Sequence, residues 1–290
     1  MTTRPVVVGT DGSEHSLQAV EWAAREAEQR EAPLRVVSVV SIPPRSVWPR
    51  VLPDTVARTA GEEAGEALSR AIGRVARAAP DMLADGGVLW GPPVSALVAC
   101  AAGASMLVIG CRGAGGFPSL LLGSVSRYVA TEAQCPVVVV RPQTADARGE
   151  VVVGVRDLDT STAALAFAFQ EAELRRASLR AVHAWFAPAL RHAGHELDLG
   201  ETAEKATAEM HDALAGWREK YPAVQVTEEV VHEHPGHVLA DLSARAELVV
   251  LGRHVGEASA GPRIGAVTHA VLSHAHGPVA CVPAERSARG

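Results

Sequence analysis

The 290 residues are 48% hydrophobic and 21% charged, which permits a substantial core and argues against a disordered chain. With 33 acidic against 27 basic residues, a formal charge of -6 and no basic run, the sequence offers no electrostatic footprint for nucleic acid or for a membrane surface. No stretch approaches the roughly 18 apolar residues of a membrane span, and MTTRPVVVG leads straight into a strand, so neither a membrane anchor nor a signal peptide is expected.

Taken in chain order, the first half alternates short β-branched runs with helix-period stretches. Strands are predicted at 5–10, 34–41, 86–90, 105–110 and 136–141. Apolar runs without polar alternation suit strands buried on both faces of a parallel sheet. A helix follows the first strand, with Ser13 as its N-cap and Leu17, Val20, Ala24 and Ala27 as its apolar stripe. A second is predicted over 56–79, with Leu68, Ile72, Val75 and Ala79 turned to the core. Pro92 and Pro93 introduce a third over Val94 to Ala102, and Gly123-Ser124-Val125-Ser126 opens a fourth. Between the second strand and the second helix, SIPPRSVWPRVLP reads as a loop beside a pocket, with Trp48 as a contact residue.

The same order then repeats. PVVVG at 5–9 returns as EVVVG at 150–154, SMLVIG at 105–110 as ELVVLG at 247–252, and CPVVVV at 135–140 as GPVACV at 277–282. Three matched blocks at nearly constant offset describe a duplicated domain. The predicted domains are 1–143 and 149–290, joined by a polar linker from Gln143 to Gly149. Strands alternating with helices give an α/β fold class: two tandem Rossmann-like domains, each a doubly wound, five-stranded parallel sheet. The valine run 137–140 would leave an apolar sheet edge, and 278–282 of the second copy is its expected cover, giving an intramolecular pseudo-dimer.

Ligands of doubly wound sheets bind beyond the carboxyl ends of the strands, where strand order reverses. Those ends here carry Gly9-Thr10-Asp11-Gly12-Ser13 after strand one and Gly110-Cys111-Arg112-Gly113 after strand four. Nine residues further on, Gly123 and Ser124 begin a helix. Glycines allow close backbone approach and positive φ, and a helix N-terminus offers unpaired N–H groups to an anion. Ser124 and Ser126 are expected to add hydroxyl donors and Arg112 a guanidinium for phosphate, while Asp11 can accept from a ribose hydroxyl or a purine amine. The set reads as phosphates on one side and a nucleoside on the other. A competing reading makes Asp11 a cap for the helix near Ser13.

The spacing Gly-x2-Gly-x9-Gly-Ser after an apolar strand, with Asp11 two residues past Gly9, resembles the universal stress protein family, in its ATP-binding branch. The resemblance covers nearly the whole chain as two copies and extends to the closing CPVVVVRP. It implies that Gly110, Gly113, Gly123 and Ser124 hold the phosphates and that Asp11 and Val39 flank the adenine and ribose of ATP, with or without Mg2+. Gly9, Thr10, Val125 and Ser126 join them by position.

In the second copy Arg156 stands opposite Asp11, Val255 opposite Gly113 and Ala266 opposite Ser124. An arginine cannot accept from ribose and a β-branched residue crowds the loop, so this copy reads as degenerate for ATP. It holds eleven of the twelve histidines; His232 and His234, taken as His-x-His on a strand, with His237 and His254, raise a metal or pH-sensing reading against the plainer one of solvated side chains.

The resemblance implies a stress-response regulatory or sensing module that binds ATP, acts through an unidentified protein partner and pairs with a second chain as a homodimer. The alternative is a slow ATP hydrolase or nucleotidyl transferase. Against an efficient enzyme stand the absent GxxxxGK[ST], the lack of any lysine before Lys205, and Asp11 as the one acid at the crest. A dinucleotide oxidoreductase would need GxGxxG after strand one. Cys111 reads as an unreactive small apolar residue or as a thiol tuned by the nearby helix. Four cysteines without CxxC spacing point to a reduced, cytoplasmic setting.

Overall fold

The computed structural model describes residues 3–41, 54–115, 121–142, 149–156, 161–186, 199–253 and 264–284. Trp48 and its proline-rich loop, linker residues 143–148, and His254 and Val255 lie outside the described residues. The chain divides into two compact units, Met1–Pro142 and Gln143–Gly290.

The first unit runs β1 (Val6–Thr10), α1 (Glu14–Gln29), β2 (Leu34–Ser41), α2 (Asp54–Ala78), β3 (Ala84–Gly91), α3 (Pro93–Cys100), β4 (Met106–Gly110), α4 (Ser124–Glu132) and β5 (Val137–Val140). Its strands pair in parallel in the order β3-β2-β1-β4-β5. The chain winds outward from β1 through β2 to β3, then returns to the other side of β1, so strand order reverses between β1 and β4. Every residue of β1, β4 and β5 is buried, as valine-rich strands covered on both faces require. Burial weakens outward: β2 exposes Arg35 and Ser41 at its ends, and β3 is half-exposed along its length.

Helix α1 starts where Ser13 Oγ accepts from Ser16 N, and Leu17, Val20, Ala24 and Ala27 are all buried against the sheet. In α2 the buried face is shifted from the predicted stripe. Ala64, Ala67, Ala71 and Val75 are buried, while Leu68 and Ile72 are half-buried. The small side chains let the helix approach closely, and the two longer ones lean over Gly86 of the terminal strand, where a Cβ would stand 3.2 Å from Leu68 Cδ1. Arg74 fastens α2 to α1 through Glu21 at 2.6 Å and Glu14 at 2.9 Å.

The second unit runs β6 (Glu150–Gly154), α5 (Thr162–Arg175), β7 (Ser178–Ala184), α6 (Leu199–Lys220), β8 (Val226–Val231), α7 (Pro235–Leu242), β9 (Leu248–Arg253), α8 (Ala266–His274) and β10 (Val279–Pro283). Parallel pairing in the order β8-β7-β6-β9-β10 repeats the first unit's winding. Its core includes Phe169 of α5, fully buried and stacked on Trp217 and Tyr221 with centroids 5.7 and 5.4 Å away.

Candidate functional site

At the β1/β4 reversal of the first unit lies a cavity of about 580 Å³, within the range of roughly 300–1,000 Å³ that small-molecule sites occupy. Gly9, Thr10, Asp11, Val39, Gly110, Arg112, Gly113, Gly123, Ser124, Val125 and Ser126 all line it. Sequence reasoning missed the rest of the wall. Val37 of β2, Pro93 and Leu97 of α3 and Ile109 of β4 form an apolar floor in the same cavity as the glycine loop and the first turn of α4. The doubled proline that begins α3 was the one available signal, because it brings Leu97 over Gly9, where a Cβ would lie 2.9 Å from Leu97 Cδ2.

The glycines are present for close approach rather than for handedness. Among the described glycines only Gly12, Gly91, Gly103 and Gly149 have positive φ, so Gly110, Gly113 and Gly123 make no use of that freedom. A Cβ on Gly110 would stand 2.7 Å from the carbonyl oxygen of His15, so β4 ends directly against the first turn of α1. A Cβ on Gly113 would stand 2.4 Å from Asp11 Oδ2. Gly123 makes only ordinary contacts, the nearest being Cys111 O at 3.4 Å, and serves as the N-cap of α4.

Asp11 braces the cap residue Ser13 and clamps the glycine loop. Its Oδ1 accepts from Ser13 N at 3.0 Å and from Ser13 Oγ at 2.6 Å, while Oδ2 accepts from Ala114 N at 2.6 Å and so ties the glycine loop to β1. Burial acts to raise its pKa, but these donors outweigh burial and hold the carboxyl below its ordinary value. The hydroxyl of Thr10 is spent inside the turn, accepting from Gly12 N and bonding Ser16 Oγ at 3.0 Å. Ser126, expected as a donor to the ligand, instead donates to Gly110 O at 2.8 Å and is buried. Of the two serines, the exposed Ser124 remains to face a ligand. The first intrahelical bond of α4 runs from Arg127 N to Gly123 O, so the amides of 124–126 have no intrahelical acceptor at the cavity wall. Arg112 is half-buried, with Nη2 3.0 Å from His15 Nε2. Cys111 is buried behind this wall, its Sγ 3.8 Å from His15 Nδ1.

The second unit keeps the frame and changes the chemistry. Gly265 caps α8 with φ -64° and ψ 154°, close to Gly123 at -71° and 151°, but Ala266 supplies no hydroxyl. Arg156 is exposed beyond β6. The His-x-His reading is corrected: β8 ends at Val231, so His232 and His234 lie past the strand, and His234 caps α7 by accepting from Gly236 N at 3.3 Å. Among the described residues no three His, Cys, Asp or Glu side chains are grouped to hold a metal. No helix among them is long and apolar enough to cross a membrane.

Two winding-matched α/β units, one with a crest cavity lined by glycines and a helix N-terminus, define a tandem doubly wound α/β protein. The Universal stress protein family model matches residues 2–141 and 148–283, and the chain belongs to that family. It is 34% identical over 298 residues to universal stress protein Rv2623 of Mycobacterium tuberculosis, covering 94% of each chain. It is 35% identical over 283 residues to universal stress protein Rv2005c of the same organism, covering 94% of this chain and 95% of that one. A crystal structure of a universal stress protein from Archaeoglobus fulgidus shares the fold, with a TM-score of 0.72 at 17% identity over 98% of this chain and 97% of that one.

Proposed function

We propose that the first unit binds an adenine nucleotide, ATP, and that this chain is a nucleotide-sensing stress protein acting through a protein partner. One observation carries the reading: the unpaired amides at the start of α4 and the Arg112 guanidinium share a single cavity with an apolar floor. Amides and a cation suit phosphates, and an apolar shelf of Val37, Val39, Leu97 and Ile109 suits a purine. The glycine at 113 lets the loop close onto Asp11, where a Cβ would stand 2.4 Å from Oδ2, and keeps that part of the cavity wall free of side chain.

Turnover is not favoured by this residue set. Efficient phosphoryl transfer needs a metal clamp, a placed nucleophile and cationic support. Asp11 is the only acid among the described cavity residues, and both its oxygens already accept hydrogen bonds. Calorimetric titration with ATP, ADP and AMP, with and without Mg2+, tests the proposal. Binding that is lost in Gly113→Val while the melt stays cooperative supports it. No heat at saturating ATP, or unchanged affinity in that variant, would overturn it, and multiple turnovers per second of phosphate release would move the protein to the hydrolases.

A further inference from the structure

We propose that His15 is a positioning residue that aims Arg112 at the bound phosphates and makes the grip depend on pH. The inference rests on the nucleotide reading above and adds a residue outside the cavity wall. A guanidinium can only donate, so at 3.0 Å His15 Nε2 must accept from Arg112 Nη2. The ring is therefore neutral and carries its proton on Nδ1, the nitrogen that faces Cys111 Sγ at 3.8 Å. Protonation would remove the only lone pair that Arg112 uses on His15 and set two cations side by side.

The brace is rigid because its backbone is. The carbonyl of His15 lies where a Cβ on Gly110 would go, so the first turn of α1 rests on the end of β4. An imidazole fixed at that point holds the guanidinium of the loop immediately after β4. Among the described residues four charged groups act on the ring. Arg112 and Arg141 approach from the ends of β4 and β5 and disfavour the imidazolium, while Glu14 and Asp11 on the α1 side favour it. Burial comes first, followed by the two guanidiniums, and together they hold His15 below the ordinary histidine range. At neutral pH the ring is in its accepting form.

The register of the second copy removes the pair. The helix starts match Ser13 to Ser161, since Leu17 N bonds Ser13 O and Leu165 N bonds Ser161 O, and this puts Ala163 at the place of His15. The glycine-loop match puts His254 at the place of Arg112. The copy that lost Asp11 and Gly113 has lost this brace as well.

Three proteins decide the matter, each titrated with ATP at pH 7.5 and 5.0: the native chain, His15→Gln and His15→Phe. Glutamine offers an untitratable acceptor near the position of Nε2; phenylalanine offers none. At pH 7.5 the native chain and His15→Gln bind alike, and His15→Phe binds roughly tenfold more weakly. Lowering the pH weakens the native chain at least roughly twofold more than His15→Gln, a comparison that cancels the titration of ATP itself. Nitrogen-15 NMR of the free protein shows the Nδ1–H tautomer at His15. Equal pH profiles for native and glutamine proteins, full affinity in His15→Phe, or an Nε2–H tautomer overturns the inference while leaving the nucleotide reading standing. A native chain that binds no nucleotide at pH 7.5 overturns both.

Discussion

At the scale of single residues, Asp11 and Gly113 cannot be considered apart. The carboxylate occupies the volume that a side chain at 113 would need. Gly113→Ala should therefore lower the melting temperature in the native background and do so much less beside Asp11→Ala. A double-mutant cycle is expected to return a coupling of about 1 kcal/mol or more, and additive losses would show that the contact is not what fixes the glycine. Asp11→Ala alone should abolish ATP binding in the same calorimetric assay, since it frees both the loop and the turn. Asp11 also sets a pH signature. Its folded pKa is depressed, so its stabilisation is complete above the unfolded value of about 3.9 and disappears as pH falls through the lower folded value. In denaturant melts the gap between the native chain and Asp11→Asn should be full at neutral pH and close in acid. Both readings of Asp11 were legible in the sequence, as ligand acceptor and as cap. In the local geometry Ser13 is the cap and Asp11 braces it, and the bond to Ala114 is a contact 103 residues away in sequence that no local pattern could reveal.

At the scale of elements, two glycines that look interchangeable in the motif should respond differently. Gly110→Ala drives a Cβ into the His15 carbonyl of α1, and overpacking of this kind costs roughly 1–3 kcal/mol. Gly123→Ala meets nothing closer than 3.4 Å at an N-cap with ordinary φ, so its cost should stay below about 1 kcal/mol. Thermal melts of the two variants check the contrast, and equal losses would contradict it. Strand and helix positions were legible because valine runs and the Ser13 cap are local signals. The buried face of α2 was not. Its alanines were outranked by Leu68 and Ile72 on hydrophobicity alone, whereas the sheet selected the side chains small enough to approach. Thiol chemistry belongs at this scale too. Burial pushes Cys281 of β10 up to about 12, with Arg253 offsetting part of the effect. Iodoacetamide at pH 8 should leave Cys281 unmodified in the native protein while reaching the half-buried Cys100 of α3.

At the scale of the whole molecule, duplication of the frame does not duplicate the site. The chain should take up one ATP, not two, and a calorimetric stoichiometry near two would restore the second crest as a nucleotide site. The repeat itself was legible from three strand blocks. The ligand loops were legible as glycines, and all of the residues they suggested line one cavity. The apolar floor was hidden, since Val37 and Ile109 are indistinguishable in sequence from the core valines beside them. The histidine-rich second half misled for a related reason: spacing alone cannot tell a strand from the turn just past it, and His234 belongs to the turn.

Lysine is nearly absent from the chain, and both copies of it, Lys205 and Lys220, fall on α6 of the second unit. Lys205 is 78% exposed, and the ammonium of Lys220 lies over the rings of Trp217 and Tyr221. Apart from the α-amino group, amine-directed coupling can therefore mark only that helix. A dye, biotin or sensor surface attached there leaves the arginine-built crest of the first unit chemically untouched, a tethering handle that most proteins have to be engineered to possess.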